Sequence, residues 1–452
     1  MKAKSIQKQR KEGQLLTWLR SKGFRYLFVL DALVLLFSAT LITLIRFRTD
    51  WPSSSFSHYL ITFGLVAVIH LIVFYFGGLY EYEQRLGRPA WLPRATTLSL
   101  IAFLVCVFFG FFSNRFLMPR ASLVFLFLAS SVLISLNRWV SCSLRSRRFG
   151  NPRVLLIGST DQVNLATVHL RESGGDIEIA GSAEPNTPLL EKVDATKATD
   201  VLLLNKAVLA DLYPNPLEEM EQRRIGVYKQ ITPSDTLMKL HRSRQIAGMP
   251  FVTLQAHALP SHTLRLKRLL DLTYLIIAFP LILSFFLLAS VYVRIKVGPN
   301  IFYKQIRVGH LNKNFFLCKF RTMELNIEDQ TGAQLAATND SRVIKGMRWL
   351  RRTRLDELPQ VWNILKGEMS LIGPRPERPE FVETFKDQIP GYERRHDTVP
   401  GLTGLAQVQG HYQTDPSYKL GHDLQYIVNW SPILDLQILF KTVLVVLRQL
   451  AR

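Results

Sequence analysis

Four long apolar stretches dominate the first third of the chain. They cover residues 26–45, 59–76, 97–112 and 122–136. Each stretch is long enough, or nearly so, to cross the hydrocarbon core of a bilayer as a helix. The first is too long and begins too late for a cleaved signal peptide, and Arg46 and Arg48 follow it instead of small residues. The pattern predicts a membrane protein with an N-terminal bundle of four transmembrane helices over residues 26–145.

Basic residues flank this predicted bundle and predict its orientation. Eight lysines and arginines lie in a basic N-terminal segment, residues 1–25, and a second basic cluster follows the fourth stretch. Because lysine and arginine are enriched in cytoplasmic loops, both ends of the bundle are expected in the cytoplasm. Asp31 is the one acidic residue inside the first stretch. It has two interpretations, a polar contact between helices or part of a functional path.

A different pattern begins near Arg153. The runs RVLLIGSTDQ and VLLLN each have the length of a buried strand, and polar, helix-compatible segments separate them. This alternation predicts a central Rossmann-like α/β domain over residues 150–250. A dinucleotide site would need glycines in the spacing G-x-G-x-x-G after the first strand, but Gly158 is followed by Ser-Thr-Asp. The domain is therefore expected to be structural, regulatory or a docking surface, with a homodimer contact as one candidate role.

One more apolar stretch, about residues 269–293, contains Pro280 near its middle. Between Arg265 and Met323 the sequence has ten basic residues and one acidic residue, so both flanks are expected on the cytoplasmic side. A helix that enters the membrane, bends at a Pro280 hinge and returns would satisfy both flanks. A straight fifth span is the alternative. The final segment, LDLQILFKTVLVVLRQLAR, is interrupted by charge and predicts an interfacial amphipathic helix.

The net positive charge of the chain limits the kinds of binding partner that are expected. The formal net charge of +21 favours an anionic partner, and the membrane segments favour a lipid bilayer or a phosphorylated substrate over nucleic acid. The three cysteines have no metal-ligand spacing, so neither zinc nor a disulfide framework is indicated.

The C-terminal half contains candidate phosphate-binding groups. Lys319 and Arg321 lie together in KFRTM, and Arg375 lies in GPRP, where two prolines stiffen the loop. Guanidinium and ammonium groups on stiff loops suit phosphate oxygens. The alternatives are that Arg375 only packs a turn and that Lys319 and Arg321 only contact lipid headgroups.

Adjacent carboxylates in RRTRLDELPQVWNIL are the strongest candidate for chemistry. On a helix, Asp356 and Glu357 would point about 100° apart and could have different roles, such as nucleophile or magnesium ligand for one and orienting group for the other. The plain alternative is a solvated helix in which Arg352 pairs with Asp356 four residues on. Pro359 is expected to end or bend the local helix.

The C-terminal run resembles the catalytic domain of the bacterial sugar transferases, which are polyprenyl-phosphate hexose-1-phosphate transferases. The motifs that carry this resemblance occur in order: KRLLD, GPNIFYKQIRVG, KFRTM, LDELPQVWNILKGEMSLIGPRPE, PGLTGLAQVQG and YIVNWSPILDLQIL. The four preceding spans and the Rossmann-like domain resemble the large membrane form of the family. A mostly α-helical catalytic domain, residues 262–452, with a re-entrant helix is implied.

By this resemblance, Asp356 is the nucleophile that attacks the β-phosphorus of a UDP-sugar, releases UMP and passes the sugar phosphate to undecaprenyl phosphate. UDP-glucose or UDP-galactose is the expected donor, in the first membrane step of exopolysaccharide, capsule or O-antigen synthesis. Mg²⁺ would bind at Asp356, and Glu357 would complete the catalytic pair. Further phosphate contacts are implied for Lys319, Arg351 and Arg375, at a site on the cytoplasmic face of the bacterial inner membrane.

Two positions depart from the family pattern, and two other classes of protein compete with it. Arg354 stands where a small or polar residue is expected, and Phe279 stands where serine is frequent before the proline. A membrane-anchored nucleotide-sugar dehydratase or epimerase would need a glycine fingerprint and a Tyr-x-x-x-Lys pair, a spacing that occurs only by chance at Tyr292 and Lys296. A non-catalytic scaffold for polysaccharide assembly would not need a reactive Asp356.

Overall fold

The computed structural model describes residues 24–47, 56–81, 86, 91–112, 120–172, 177–185, 187–204, 212, 215–231, 243–255, 259–324, 342–409 and 415–450. The predicted basic segment 1–25 lies almost wholly outside these residues. The chain divides into two compact units, Met1–Ala256 and His257–Arg452.

Four apolar helices begin the first unit. They are α1 (Phe24–Phe47), α2 (Phe56–Phe76), α3 (Trp91–Phe112) and α4 (Arg120–Phe149). Helix α1 packs on α2 and α4, and α3 packs on the same two neighbours. Small and apolar side chains such as Ala39, Ala102 and Cys106 are buried between them, which lets the backbones approach closely. The four predicted apolar stretches are therefore four packed helices.

Four of the described helical segments are long and apolar enough to cross a membrane, judged by length and composition. They are Leu27–Arg46, Pro93–Phe111, Arg120–Ser143 and Ser261–Val297, and Ile61–Phe76 is a shorter apolar segment. Many large apolar side chains on these helices are exposed, among them Phe37, Phe108 and Val132. Such outward apolar surface is what a lipid environment would cover.

The acidic residue of the first stretch is fully buried and paired. Asp31 Oδ2 lies 2.5 Å from Nη2 of Arg138 on α4, and Asp31 Oδ1 accepts a hydrogen bond of 2.7 Å from Asn137. The Arg138 guanidinium also lies over the ring of Tyr80, 5.2 Å from its centroid. Of the two interpretations of Asp31, the contact between helices is the one that the geometry supports.

An α/β domain completes the first unit. Its strands are β1 (Arg153–Ile157), β2 (Glu178–Ala183), β3 (Asp200–Leu203), β4 (Gly226–Gln230), β5 (Ser243–Ile246) and β6 (Met249–Leu254), and its helices are α5 (Thr160–Glu172), α6 (Leu189–Thr196) and α7 (Asn215–Gln222). The strand order is β2-β1-β3-β4-β6-β5, in which the first four strands are parallel and the last two antiparallel. Both faces of β1 and β3 are buried, which explains why their sequences are uninterrupted apolar runs.

The turn after β1 is closed by the chain itself. Gln162 Oε1 accepts a hydrogen bond of 3.1 Å from the backbone N–H of Ser159, the group that a dinucleotide fold would offer to a pyrophosphate. A Cβ atom at Gly158 would lie 2.9 Å from Cβ of Leu204, so this glycine serves close packing between neighbouring strands. Both observations agree with the absence of the G-x-G-x-x-G spacing.

The second unit begins with one long helix, α8 (Ser261–Val297), and continues with a hairpin of β7 (Phe302–Val308) and β8 (Asn314–Phe320). Then follow α9 (Arg348–Arg352), a 3-10 helix (Leu355–Gln360), α10 (Val361–Lys366), β9 (Ser370–Ile372), α11 (Pro379–Gln388), a second 3-10 helix (Tyr392–Asp397), β10 (Gly401–Thr403), α12 (Leu405–Gln409), α13 (Pro416–Val428) and α14 (Pro432–Leu450). A 3-10 turn at His310–Asn312 joins the hairpin strands, and β9 pairs in parallel with β10. This mostly helical unit packs its core around α8, the hairpin and β9.

Helix α8 continues through Pro280 without interruption. The same folded unit holds both halves of the helix. In the first half, Lys267 Nζ lies 3.2 Å from Asp435 Oδ2, and both side chains are buried. In the second half, the Tyr292 hydroxyl donates to the carbonyl of Gly346 at 3.0 Å. Pro280 therefore does not end the helix, and the predicted hinge there stays a prediction.

The last helix has an apolar stripe on its outer face. Ile433, Leu436, Phe440, Val443 and Leu447 are all more than half exposed and recur every three or four residues. This is the spacing of one face of a helix. The stripe is compatible with an interfacial amphipathic helix, which stays a prediction.

Candidate active site

The acidic pair lies on the 3-10 helix Leu355–Gln360, not on an α-helix that continues from α9. Helix α9 ends at Arg352, and Arg354 adopts a left-handed conformation with φ 59° and ψ 14°. This break leaves Arg352 exposed, whereas Asp356 and Glu357 are buried. The alternative of a solvated helix with Arg352 paired to Asp356 is therefore wrong.

Pro359 also behaves differently from the expectation. It lies inside the 3-10 helix, and α10 follows directly at Val361. Proline does not end the helical segment here, because Pro359 precedes Gln360, the N-cap of α10, and the first turn of that helix needs no N–H from it. The segment instead changes from 3-10 to α geometry one residue after Gln360.

The β7–β8 hairpin provides one wall of the site. Lys319 pairs across the hairpin with Tyr303, and its ammonium lies 5.2 Å from the centroid of the Tyr303 ring. Buried Asn363 fixes this hairpin to α10, since its side chain accepts from Cys318 N–H at 3.1 Å and donates to Phe316 C=O at 2.7 Å. These two bonds keep Lys319 close to the acidic pair.

The G-P-R-P loop provides another wall of the site and orients Arg375. The Arg375 guanidinium donates through Nη2 to Glu357 Oε1 at 2.8 Å and through Nη1 to Glu357 Oε2 at 3.5 Å. Two further arginines fix the loop backbone. Arg395 donates to the carbonyl of Arg375 at 3.0 Å, and Arg307 donates to the carbonyl of Pro376 at 3.1 Å. Arg395 is itself buried and lies 2.8 Å from Asp423.

These elements enclose a small open cavity of about 60 Å³. It is lined by Arg307, Leu317, Lys319, Arg351, Arg354, Asp356, Glu357, Gln360, Arg375 and Pro376. Five of the lining side chains are cationic and two are anionic, so the formal charge of the lining is 5 − 2 = +3. A polyanion such as a diphosphate complements this charge, and fixed guanidinium groups match its oxygens.

The two carboxylates have opposite electrostatic environments. Burial raises the pKa of Asp356, and the negative charge of Glu357 raises it further. Burial would raise the pKa of Glu357 as well, but the guanidinium groups of Arg375 and Arg354 outweigh it and hold this pKa well below its usual range. Asp356 Oδ1 is buried and has no hydrogen-bond partner among the described residues. Glu357 is thus an anion paired with two arginines, and Asp356 is the carboxylate with an oxygen that accepts no hydrogen bond from the described residues.

Burial and neighbouring cations lower the pKa values of Lys319 and Arg307. Burial and the neighbouring charge of Arg307 lower the pKa of Lys319 to about 8. Burial lowers the pKa of Arg307 to about 10, although Glu377 opposes this shift. An anion bound in the cavity would reduce the repulsion among these cations. The charge of the lining therefore favours anion binding.

Most of the site residues predicted from sequence meet here. Asp356, Glu357, Lys319, Arg351 and Arg375 all line the cavity. Arg321 is the exception, because its guanidinium donates to the carbonyl of Val297 at the C-terminal end of α8. A cation at that end of a helix is favourable for the helix dipole.

Sequence reasoning did not assign five of the lining residues to the site: the polar Arg307, Arg354 and Gln360 and the apolar Leu317 and Pro376. Arg307 lies in FYKQIRVG and Gln360 in LDELPQ, both within motifs that carry the family resemblance. The period of two along β7 places Arg307 on the same side of the strand as Tyr303, and this was the signal that could have identified it.

The Tyr-x-x-x-Lys pair of a dehydratase is not assembled into a site. The Tyr292 hydroxyl is bound to Gly346, and its ring packs edge-to-face on Trp349 at 5.1 Å. Lys296 is exposed one turn further along α8. Tyr292 thus belongs to the attachment of α8 and Lys296 is exposed, so the pair gives no structural basis for this rival class.

Sequence comparison agrees with the site geometry. The profile of the family described as bacterial sugar transferase matches residues 262–449. An uncharacterised sugar transferase of Bacillus subtilis is 40% identical over 178 residues, which cover 39% of this chain and 85% of the relative. The chain belongs to the bacterial sugar transferase family.

Two further relatives match over a similar length of this chain. An N-acetylgalactosaminephosphotransferase of Aeromonas hydrophila, named for UDP-N-acetylgalactosamine and undecaprenyl phosphate, is 43% identical over 185 residues, or 40% of this chain and 44% of the relative. A UDP-glucose:undecaprenyl-phosphate glucose-1-phosphate transferase of Klebsiella pneumoniae is 40% identical over 211 residues, or 45% of this chain and 44% of the relative. The matched region thus spans less than half the length of these two relatives.

Proposed function

We propose that this protein is a phosphoglycosyl transferase, which transfers a hexose-1-phosphate from a UDP-sugar to undecaprenyl phosphate and releases UMP. The observation that carries the proposal is the unequal acidic pair in the cationic cavity. Glu357 is held by two arginines, whereas Asp356 keeps an oxygen without a partner. A buried carboxylate with a free oxygen among phosphate-binding cations is suited to nucleophilic attack on phosphorus.

The proposed reaction has two displacements at the same phosphorus. In the first, Asp356 forms an O–P bond to the β-phosphorus, the bond to the bridging oxygen breaks, and UMP leaves with the electron pair. In the second, a phosphate oxygen of undecaprenyl phosphate attacks that phosphorus and Asp356 leaves as a carboxylate. The products are UMP and undecaprenyl-diphosphate-linked sugar, and no oxidant or reductant is required.

The lining cations support the role of phosphate binding. Lys319, Arg351 and Arg375 are the proposed contacts to the diphosphate, and Arg307, which also lines the cavity, holds the carbonyl of Pro376. Because phosphoryl transfer is catalysed mainly by positioning and charge neutralisation, such groups account for most of the expected rate enhancement.

The site also fits a magnesium ion. The described residues contain no cluster of three or more metal-ligating side chains. Mg²⁺, however, is commonly bound through one or two carboxylates together with substrate phosphates and water. Asp356 would hold it, since its Oδ1 is buried without a partner. When bound, the ion would neutralise charge on the diphosphate.

A membrane location for this chemistry is supported by the second unit. The α8 side chains Ile276, Ile277 and Leu288 are each more than two-thirds exposed, and the outer stripe of α14 is equally apolar. Both halves of α8 are attached to one folded unit, which supports a re-entrant path with both flanks on one side. The proposed location is the bacterial inner membrane, with the site at its cytoplasmic face, where undecaprenyl phosphate presents its headgroup.

The sugar must be found by experiment, because two similar relatives are named for different sugars, N-acetylgalactosamine and glucose. UDP-glucose and UDP-galactose remain the first donors to test, followed by the N-acetylated sugars. The pathway is correspondingly proposed as the first membrane step of exopolysaccharide, capsule or O-antigen synthesis.

The test is an assay of the full chain in detergent with Mg²⁺, undecaprenyl phosphate and a panel of UDP-sugars. UMP release with one or more donors is expected, and Asp356→Asn should abolish it. Asp387→Asn, an exposed carboxylate on α11, is the matched control and should retain activity. Release of UDP would show glycosyl transfer instead, and wild-type turnover by Asp356→Asn would exclude Asp356 as the nucleophile.

A further inference from the structure

Arg354 has an unusual backbone conformation for an arginine. Six described non-glycine residues have positive φ angles: Lys197, Arg224, Ala247, Leu311, Asn312 and Arg354. Arg354 is the one among them that lines the candidate active site. Left-handed backbone is costly for a side chain with a Cβ atom, and glycine or asparagine is the usual occupant. This explains why a small or polar residue is expected at this position.

The strained backbone gives the Arg354 side chain a specific contact. Its Nη1 donates to Glu357 Oε1 at 3.1 Å. The same oxygen accepts from Arg375 Nη2 at 2.8 Å. Glu357 is therefore held between two guanidinium groups that come from separate segments of the chain, one before the 3-10 helix and one after β9. The Glu357 side chain is only 10% exposed, whereas the side chains of Arg354 and Arg375 are 32% and 36% exposed, so the carboxylate is buried and its partners reach it from the edge of the site.

The left-handed residue also determines where the acidic pair begins. The backbone N–H of Glu357 donates to the carbonyl of Arg354 at 3.1 Å, which closes the first turn of the 3-10 helix. One residue thus supplies both the turn that places Asp356 and Glu357 and a cation that fixes Glu357. Glycine would satisfy the backbone equally well but would supply no cation.

We propose that Arg354 is a positioning residue for the transfer reaction: with Arg375 it clamps Glu357, so that neither guanidinium is hydrogen-bonded to Asp356 Oδ1. Strain that is retained at a site is a recognised sign of such a role. The proposal rests on the proposed function, because it concerns how the nucleophile is held. It assigns a role to Arg354, one of the two positions that depart from the expected family pattern.

The test compares neutral and conservative substitutions in the full chain. Arg354→Gln is expected to lower kcat for UMP release at least about tenfold while KM for the UDP-sugar changes less than about threefold, because positioning and not ground-state binding is lost. Arg354→Lys should recover part of the kcat, since it restores a cation. Arg352→Gln, two residues earlier and exposed, is the matched control and should retain wild-type kcat.

A second measurement separates strain from a purely structural role. Arg354→Gly removes the conflict between Cβ and the left-handed backbone, so we expect its Tm to equal or exceed that of the wild type while its kcat falls as in Arg354→Gln. A residue that only stabilised the fold would lower both quantities. Wild-type kcat in Arg354→Gln, or an effect confined to KM, would overturn the proposal.

Failure of the proposed function would be recognised separately. If the wild-type chain released UMP from none of the UDP-sugars, the clamp would still be tested by thermal unfolding of Arg354→Gln, Glu357→Gln and the double variant. The clamp predicts that the two shifts in Tm are not additive, because each substitution removes the same contact. Additive shifts would overturn the clamp whatever the activity.

Discussion

At the scale of single residues, the site depends on the difference between two neighbouring carboxylates. Arginines from two directions hold Glu357 as an anion, while Asp356 remains buried with an oxygen free. Three-residue turns place successive side chains about 120° apart, so adjacent carboxylates can meet different partners. The sequence alone predicts different roles for the two residues, but the partner of each becomes evident only in the folded chain.

Lys319 leads to a prediction of pH dependence. Its pKa is lowered to about 8 by burial and by Arg307, so Lys319 is protonated below pH 8 and loses its charge above it. KM for the UDP-sugar should therefore rise as the pH increases through about 8. In Lys319→Arg this rise should move to higher pH, because a guanidinium does not deprotonate in that range.

The control for this prediction is Lys313→Arg, an exposed lysine at the end of the same hairpin. The measurement is KM for UMP release between pH 6.5 and 9.5, a range on the order of the one over which a perturbed lysine titrates. An alkaline limb at the same pH in Lys319→Arg and the wild type would show that another group causes it.

Some residues could not be assigned from sequence for a physical reason. Arg321 and Lys319 are two residues apart, which predicts a shared face on a strand, but β8 ends at Phe320 and Arg321 turns to the end of α8. Arg395 acts through the backbone carbonyl of Arg375, and no local pattern reveals a contact across 20 residues. Residues that act on distant backbone groups need the tertiary structure to be identified.

At the scale of elements, most differences between the predicted and the observed secondary structure concern the type of helix and where a helix ends. Proline at Pro359 is accommodated by a 3-10 turn, and Pro280 is accommodated within a helix that continues to Val297. Proline forbids one hydrogen bond but does not by itself decide whether a helix stops. The continuous apolar runs of β1 and β3, by contrast, were sufficient to predict buried strands.

Helix α8 leads to a prediction of membrane topology. Because Lys267 near its start and Tyr292 near its end are both attached to the second unit, both flanks should lie on the cytoplasmic side. In a cysteine-free background, Ser261→Cys and Asn300→Cys should react with a membrane-impermeant maleimide only after the cytoplasmic face is opened. Both positions are exposed, so lack of reaction in intact cells would not result from burial.

The control for topology is a cysteine introduced in the predicted outer connection between α1 and α2, which should react in intact cells. If Asn300→Cys reacted from the outside while Ser261→Cys did not, α8 would be a straight fifth span.

At the scale of the whole molecule, a buried ion pair joins the first and last helices of the N-terminal bundle. Asp31 is fully buried against Arg138 and Asn137. Asp31→Asn would leave a buried guanidinium without its counter-ion, which typically costs about 3 kcal/mol. We therefore expect a clear fall in Tm in detergent, and partial recovery in the double variant Asp31→Asn/Arg138→Gln. Thr40→Ala, an exposed position on α1, should have little effect.

An unchanged Tm for Asp31→Asn would show that the pair is not needed to hold the bundle and would reopen the interpretation of Asp31 as part of a functional path. That the α/β domain provides a homodimer contact also stays a prediction at this scale, to be checked by the mass of the purified chain. The family motifs, in contrast, identify the second unit from the sequence because they occur in order over residues 262–449.

The most direct test of the account is to identify the covalent intermediate. The full chain is incubated with Mg²⁺ and its UDP-sugar in the absence of undecaprenyl phosphate, quenched, digested and examined by mass spectrometry. The account predicts a hexose-phosphate adduct on the peptide that contains Asp356, lost on addition of undecaprenyl phosphate and absent in Asp356→Asn. UMP release that proceeds without any adduct, or an adduct on another residue, would contradict it.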